Sequence, residues 1–106
     1  MSRLVKVAEA TDIAAGGKIV VEIDGVEIAV FNVDNEQYYA VEDICSHDGG
    51  PLAEGDVVDT YDIVCPRHGA HFDMRTGRPL TMPAIEPIES FPVTTRDGAV
   101  WVEVDW

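Results

Sequence analysis

Two short stretches constrain this chain more than anything else in it. ICSHDGGPL and VCPRHGAHF each carry one cysteine and one histidine, so the pattern reads Cys45-x-His47, seventeen residues, then Cys65-x2-His68. Glycines at 49, 50 and 69 let the backbone approach a buried centre and take positive φ, while Pro51 and Pro66 stiffen the same loops. Either half alone is weak, since a buried cysteine near a satisfied histidine is common. Two such loops facing each other would present four ligands around one site.

Both cysteines and all three histidines fall within residues 44–83, a stretch rich in Gly, Pro, Asp and His and poor in long apolar runs. Such a segment cannot build much core of its own, so a metal centre is the expected means of holding it. The flanks read differently. Residues 18–33 form two β-branched runs joined at Asp24-Gly25, a dipeptide suited to a tight hairpin because both positions tolerate positive φ. A turn at Asp34-Asn35 leads to an expected strand at 37–41. Near the end, Asp97-Gly98 joins strands expected at 92–96 and 99–105, the second alternating Val100, Val102 and Val104 with Trp101, Glu103 and Asp105. Residues 11–15 suit a short turn.

The chain has 106 residues, 46% of them hydrophobic, which suits one modest domain. Twenty acidic residues against seven Lys and Arg give a formal charge of −13, which makes nucleic acid and anionic membrane surfaces poor partners and a basic protein surface a better one. Solubility alone would also account for the acidity. The start, MSRLVKVAEATD, has Lys6, Glu9 and Asp12 interrupting any export signal, and no apolar run suffices to cross a bilayer. With two cysteines the expectation is a reducing cytoplasm, where such a pair binds metal or does redox work.

Three chemistries compete for the cysteine and histidine set. Nucleophilic catalysis by Cys65 with a histidine base leaves Cys45 and His47 unexplained. A structural zinc accepts both ligand types, but its usual spacing puts two cysteines in one half and two histidines in the other. Mixed halves are what a binuclear iron–sulfur centre requires when one iron takes both thiolates and the other both imidazoles.

From CSHDGG through CPRHGAHFD, and on through TGRPLTMPAIEPIESFPV, the sequence resembles the Rieske family, and with the flanking hairpins the likeness covers nearly the whole chain. The resemblance implies one [2Fe–2S] cluster per chain, with Cys45 and Cys65 on one iron and His47 and His68 on the other. His71 falls outside that motif and reads as a surface or packing residue. The implied architecture is all-β: one domain, with an antiparallel β-sandwich base over about 1–42 and 73–106. A small cluster-binding subdomain is inserted at about 43–72, and residues 79–83 resemble the loop that shields the cluster from a third side.

Departures from the pattern narrow the reading. Gly50 and Arg67 stand where Rieske proteins of bc-type complexes carry two further cysteines, and Ala70 and Phe72 stand where those proteins place Ser and Tyr hydroxyls toward the cluster. Losing two donors makes reduction harder, so the expected potential is near the low end of the Rieske range, roughly −150 mV. With two histidines given to the cluster, only His71 remains, too few for the two-histidine, one-carboxylate iron of an oxygenase. The chain is therefore expected to be an electron carrier and no enzyme itself. It is most similar to the ferredoxin components of ring-hydroxylating dioxygenase systems, which implies a flavin-dependent reductase and a terminal oxygenase as partners. His47 or His68 would pass the electron, Asp48, Glu54 and Asp56 would steer a basic docking surface, and Arg67 would meet an acidic one. Alternatives are the Rieske-like small subunit of a nitrite reductase, a ferredoxin of another biosynthetic system, or a zinc-stabilised binding module.

Overall fold

The structure, a computed structural model, describes residues 2–33, 37–44, 52–58, 61–65, 69–80 and 87–106. Among them ten strands form: β1 (Arg3–Glu9), β2 (Lys18–Ile23), β3 (Val26–Asn32), β4 (Tyr38–Glu42), β5 (Val57–Val58), β6 (Asp62–Val64), β7 (His71–Asp73), β8 (Ser90–Phe91), β9 (Val93–Arg96) and β10 (Ala99–Val104). Two 3-10 turns, Ala10–Asp12 and Leu52–Glu54, complete the described secondary structure. The fold is all-β, and every pairing among the described residues is antiparallel. No described helix is long and apolar enough to cross a membrane.

Both Asp-Gly turns form as their chemistry demands. Asp24 and Gly25 take φ of 52° and 87°, and Asp97 and Gly98 take 53° and 74°, which is the paired positive φ that matches the twist of the flanking strands. They join β2 to β3 and β9 to β10. The expected strand at 37–41 is β4, one residue later at its start, and the proposed turn at 34 and 35 lies outside the described residues.

Three sheets stack in layers, ordered β1-β10-β9, β2-β3-β4-β8 and β5-β6-β7. The middle sheet has both faces covered, which is why five consecutive residues of β3 are buried. One face, with Ile28, Val30 and Ala40, packs on Val100, Val102 and Val104 of β10. The other, with Ala29, Phe31 and Val41, packs on Leu52, Ile63, Cys65, Ala70, Phe72 and Met74. So the ligand-rich segment does contribute apolar residues to a core, but it does so by sharing the face of β3 and β4. That corrects the expectation that metal would have to stand in for hydrophobic burial there.

Strand β1 is the element that hairpin reasoning passes over. It pairs with β10 across the whole length of the chain, Arg3 opposite Val104 and Glu9 opposite Ala99, with a bulge between Lys6 and Ala8. No local turn signal announces such a long-range partner.

Candidate metal centre

The short strands β6 and β7 form a hairpin, with Ile63 opposite Phe72 and Val64 opposite His71. Its ladder continues one step further, the Cys65 N–H donating to the Ala70 carbonyl at 2.7 Å and the Gly69 N–H donating to the Cys65 carbonyl at 3.0 Å. Gly69 takes φ of +72°, a conformation that a side chain would strain, so the glycine lets the chain turn back at this point. Cys65 is thus held at the tip of the hairpin through both its N–H and its carbonyl.

Alternation along the hairpin decides where its side chains go. Ile63, Cys65, Ala70 and Phe72 share the face turned to the core, and each is buried to within 1% exposure. Asp62, Val64, His71 and Asp73 take the other face. A thiol kept this dry among apolar neighbours suits a sulfur ligand to a metal cluster, which needs shielding from water. The methyl group of Ala70 and the ring of Phe72 share its face and offer no hydroxyl.

His71 is fixed elsewhere. Its Nδ1 lies 2.9 and 3.0 Å from the two carboxylate oxygens of Asp62, on the face away from Cys65, and it is half-buried. His71 reads in the sequence as a surface or packing residue, and its Asp62 partner becomes visible only once β6 and β7 are aligned.

The first loop is anchored at both described ends. Asp43 extends β4, its N–H donating to the Glu27 carbonyl at 2.9 Å, and its Oδ1 accepts the Ala53 N–H at 2.7 Å. Leu52 and Ala53 are buried, and Gly55 presses so close to β6 that a Cβ there would stand 1.9 Å from the Val64 carbonyl oxygen. Of the four expected ligands, Cys65 is described, while Cys45, His47 and His68 lie outside the described residues, as do Asp48, Gly50 and Arg67. Glu54 and Asp56 are exposed, as a steering role requires.

On the far side of the hairpin, residues 78–80 run beside β7: Asp73 N–H donates to the Arg78 carbonyl, Leu80 N–H to the His71 carbonyl, and Pro79 bridges Phe72. Residues 81–83 of the expected shielding loop lie outside the described residues. Asp73 is gripped by Arg75 through Nε at 3.1 Å and Nη2 at 2.9 Å, and the Arg75 N–H adds a third bond at 2.8 Å. Arg75 holds the Asp73 carboxyl below the usual carboxylate range, against the opposing effect of burial. The same guanidinium stacks 3.5 Å over the Tyr61 ring, and Tyr61 meets Tyr39 of β4 edge-on at 6.5 Å. Sequence reasoning missed this latch between hairpin and middle sheet; the close spacing in FDMRTG was its only local signal.

Comparison with known proteins agrees with this arrangement. The profile of the Rieske [2Fe-2S] domain matches residues 3–92. The ferredoxin component of the p-cumate 2,3-dioxygenase system of Pseudomonas putida is 35% identical over 105 residues, covering 98% of this chain and 88% of that one. The 3-phenylpropionate/cinnamic acid dioxygenase ferredoxin subunit of Photorhabdus laumondii is 40% identical over 78 residues, 74% of this chain and 73% of its own. Among solved structures, one of the complex of reduced oxygenase and oxidized ferredoxin in carbazole 1,9a-dioxygenase aligns with a TM-score of 0.84 at 37% identity, covering 93% of this chain and 91% of that one.

Proposed function

The chain belongs to the Rieske [2Fe-2S] domain family, which implies an iron–sulfur cluster, and we propose that it is the ferredoxin component of a ring-hydroxylating dioxygenase system. It takes single electrons from a flavin-dependent reductase and delivers them to a terminal oxygenase. The observation that carries this reading is the buried Cys65 thiol at the tip of the β6–β7 hairpin, flanked by Ala70 and Phe72. The names of the p-cumate and 3-phenylpropionate relatives support the dioxygenase assignment over a nitrite reductase subunit, and family membership weighs against a zinc module.

One [2Fe–2S] cluster per chain would be held by Cys45 and Cys65 on one iron and His47 and His68 on the other, within a cluster-binding subdomain of residues 43–72. When bound, such a group supplies a one-electron couple. The chain's own residues set its surroundings. The β6–β7 hairpin keeps the Cys65 sulfur out of water, and Ala70 and Phe72 bring no hydroxyl of their own to that face. A cluster held here would lack the stabilisation of its reduced state that Ser and Tyr hydroxyls at positions 70 and 72 would give, which would set its potential near the low end of the Rieske range, roughly −150 mV.

The test is reconstitution. Purified protein should be reduced by a ferredoxin reductase with a nicotinamide donor, and should restore turnover of a terminal oxygenase that is idle without it. A protein that takes up electrons from no such reductase would defeat the assignment.

A further inference from the structure

The chain has two cysteines, and the ligand assignment above uses both, so no disulfide is available to tie the two ligand loops together. We propose that residues 52–56 serve as a strut between the loops, and that Asp43 is the positioning residue that locks it. This rests on the ligand assignment given under the proposed function.

The strut is a continuous run of short contacts. Asp43 stands two residues before Cys45, fixed by its backbone bond to Glu27, and its Oδ1 accepts the Ala53 N–H at 2.7 Å. Ala53 lies in the Leu52–Glu54 turn and is 6% exposed. The first N–H groups of a helical turn have no partner inside it, so removing the Asp43 acceptor would strand a buried donor. The turn is closed by the Gly55 N–H donating to the Leu52 carbonyl at 2.9 Å. Gly55 then touches the Val64 carbonyl with no room for a Cβ, and the Val64 N–H donates to the Asp56 carbonyl at 2.9 Å. Val64 directly precedes Cys65.

The start of one ligand loop is therefore referred to the start of the other through residues 52–56, in which Leu52, Ala53 and Gly55 are buried and the Asp56 carbonyl is bonded to Val64. Asp43 also clasps the ends of the loop that carries Cys45 and His47. Fixing loop ends narrows the geometries open to everything between them. Asp43 and Gly55 contribute no ligand, so their effect should appear as tighter cluster retention and a narrower spread of cluster environments.

The experiment uses the cluster-loaded protein with Asp43→Ala, Asp43→Asn and Gly55→Ala. It reads the decay of visible absorbance under a chelator and the electron paramagnetic resonance linewidth of the reduced protein. Asp43→Ala should lose its cluster roughly ten- to a hundredfold faster, the equivalent of one hydrogen bond to a charged acceptor, and show broadened lines. Asp43→Asn keeps an oxygen acceptor and should stay close to the parent in both readouts. Gly55→Ala should broaden the lines although Asp43 is intact. Should Asp43→Ala take up no cluster while Asp43→Asn does, with the β-type circular dichroism kept, the acceptor role also stands. Parent-like behaviour of Asp43→Ala or of Gly55→Ala, or equal damage in Asp43→Asn and Asp43→Ala, would overturn the strut. A parent protein lacking iron and sulfide would instead defeat the ligand assignment beneath it.

Discussion

At the residue scale, a cysteine and two histidines near one hairpin have been given different work, and substitution separates them. Cys65→Ser or His68→Ala should abolish the visible spectrum of the cluster. His71→Ala should leave it intact, because the imidazole bonds Asp62 on the face opposite Cys65. Loss of the spectrum in the His71 variant would overturn the ligand assignment. Ala70 offers a finer probe, since it is fully buried on the face of Cys65 and joined to it by a backbone bond. Ala70→Ser should raise the midpoint potential by about 60 mV, the one-electron equivalent of a single well-placed hydrogen bond of about 1.4 kcal/mol. A potential that stays put or falls, measured by redox titration, would count against donors as the cause of the low potential.

At the element scale, two glycines with similar φ are expected to respond differently. Gly77 has φ of +81°, and a Cβ there would stand 1.9 Å from the Ile88 carbonyl oxygen, whose residue in turn donates its N–H to the Gly77 carbonyl. Gly98 has φ of +74° and open space around it. Gly98→Ala should cost about 1–2 kcal/mol, the left-handed penalty alone. Gly77→Ala adds a backbone collision and should cost more by about 1–3 kcal/mol, as read from denaturant midpoints. Equal costs would mean the joint between residues 77 and 88 yields easily. The same contrast explains what could be read in advance. The Asp-Gly hairpins and the valine face of β10 were legible because a two-residue turn and a period of two are local signals. Strands β5, β6 and β7 are two or three residues long, too short for a period, and β1 finds its partner about a hundred positions away. The clasp of Asp43 on Ala53 spans ten residues and leaves no trace in composition.

At the scale of the whole molecule, a net charge of −13 opposes compactness through self-repulsion, although single carboxylates such as Asp43 and Asp73 make structural bonds. Glu22 stands directly opposite Glu27 across β2 and β3, a pairing of like charges that weakens a sheet. An acidic surface held at that cost is consistent with drawing a basic partner surface from a distance, with the exposed Glu54 and Asp56 close to the hairpin that carries Cys65. The rate constant for reduction by the reductase should then fall roughly tenfold or more from low salt to several hundred millimolar salt, in stopped-flow traces. A rate indifferent to salt would remove steering from the role of these carboxylates. The site was legible at this scale for a chemical reason: mixed cysteine and histidine halves fit few centres besides a binuclear one. What the ligand motif could not convey was the support beneath it, the shared core with β3 and β4 and the Arg75 stack on Tyr61, because those contacts join residues far apart in the chain.

The identity of the centre itself is tested most directly by chemical assay of the purified protein for iron, acid-labile sulfide and zinc. Two irons and two sulfides per chain are expected, with the visible absorbance of a histidine-ligated cluster. One zinc per chain, with no sulfide and no visible absorbance, would contradict it.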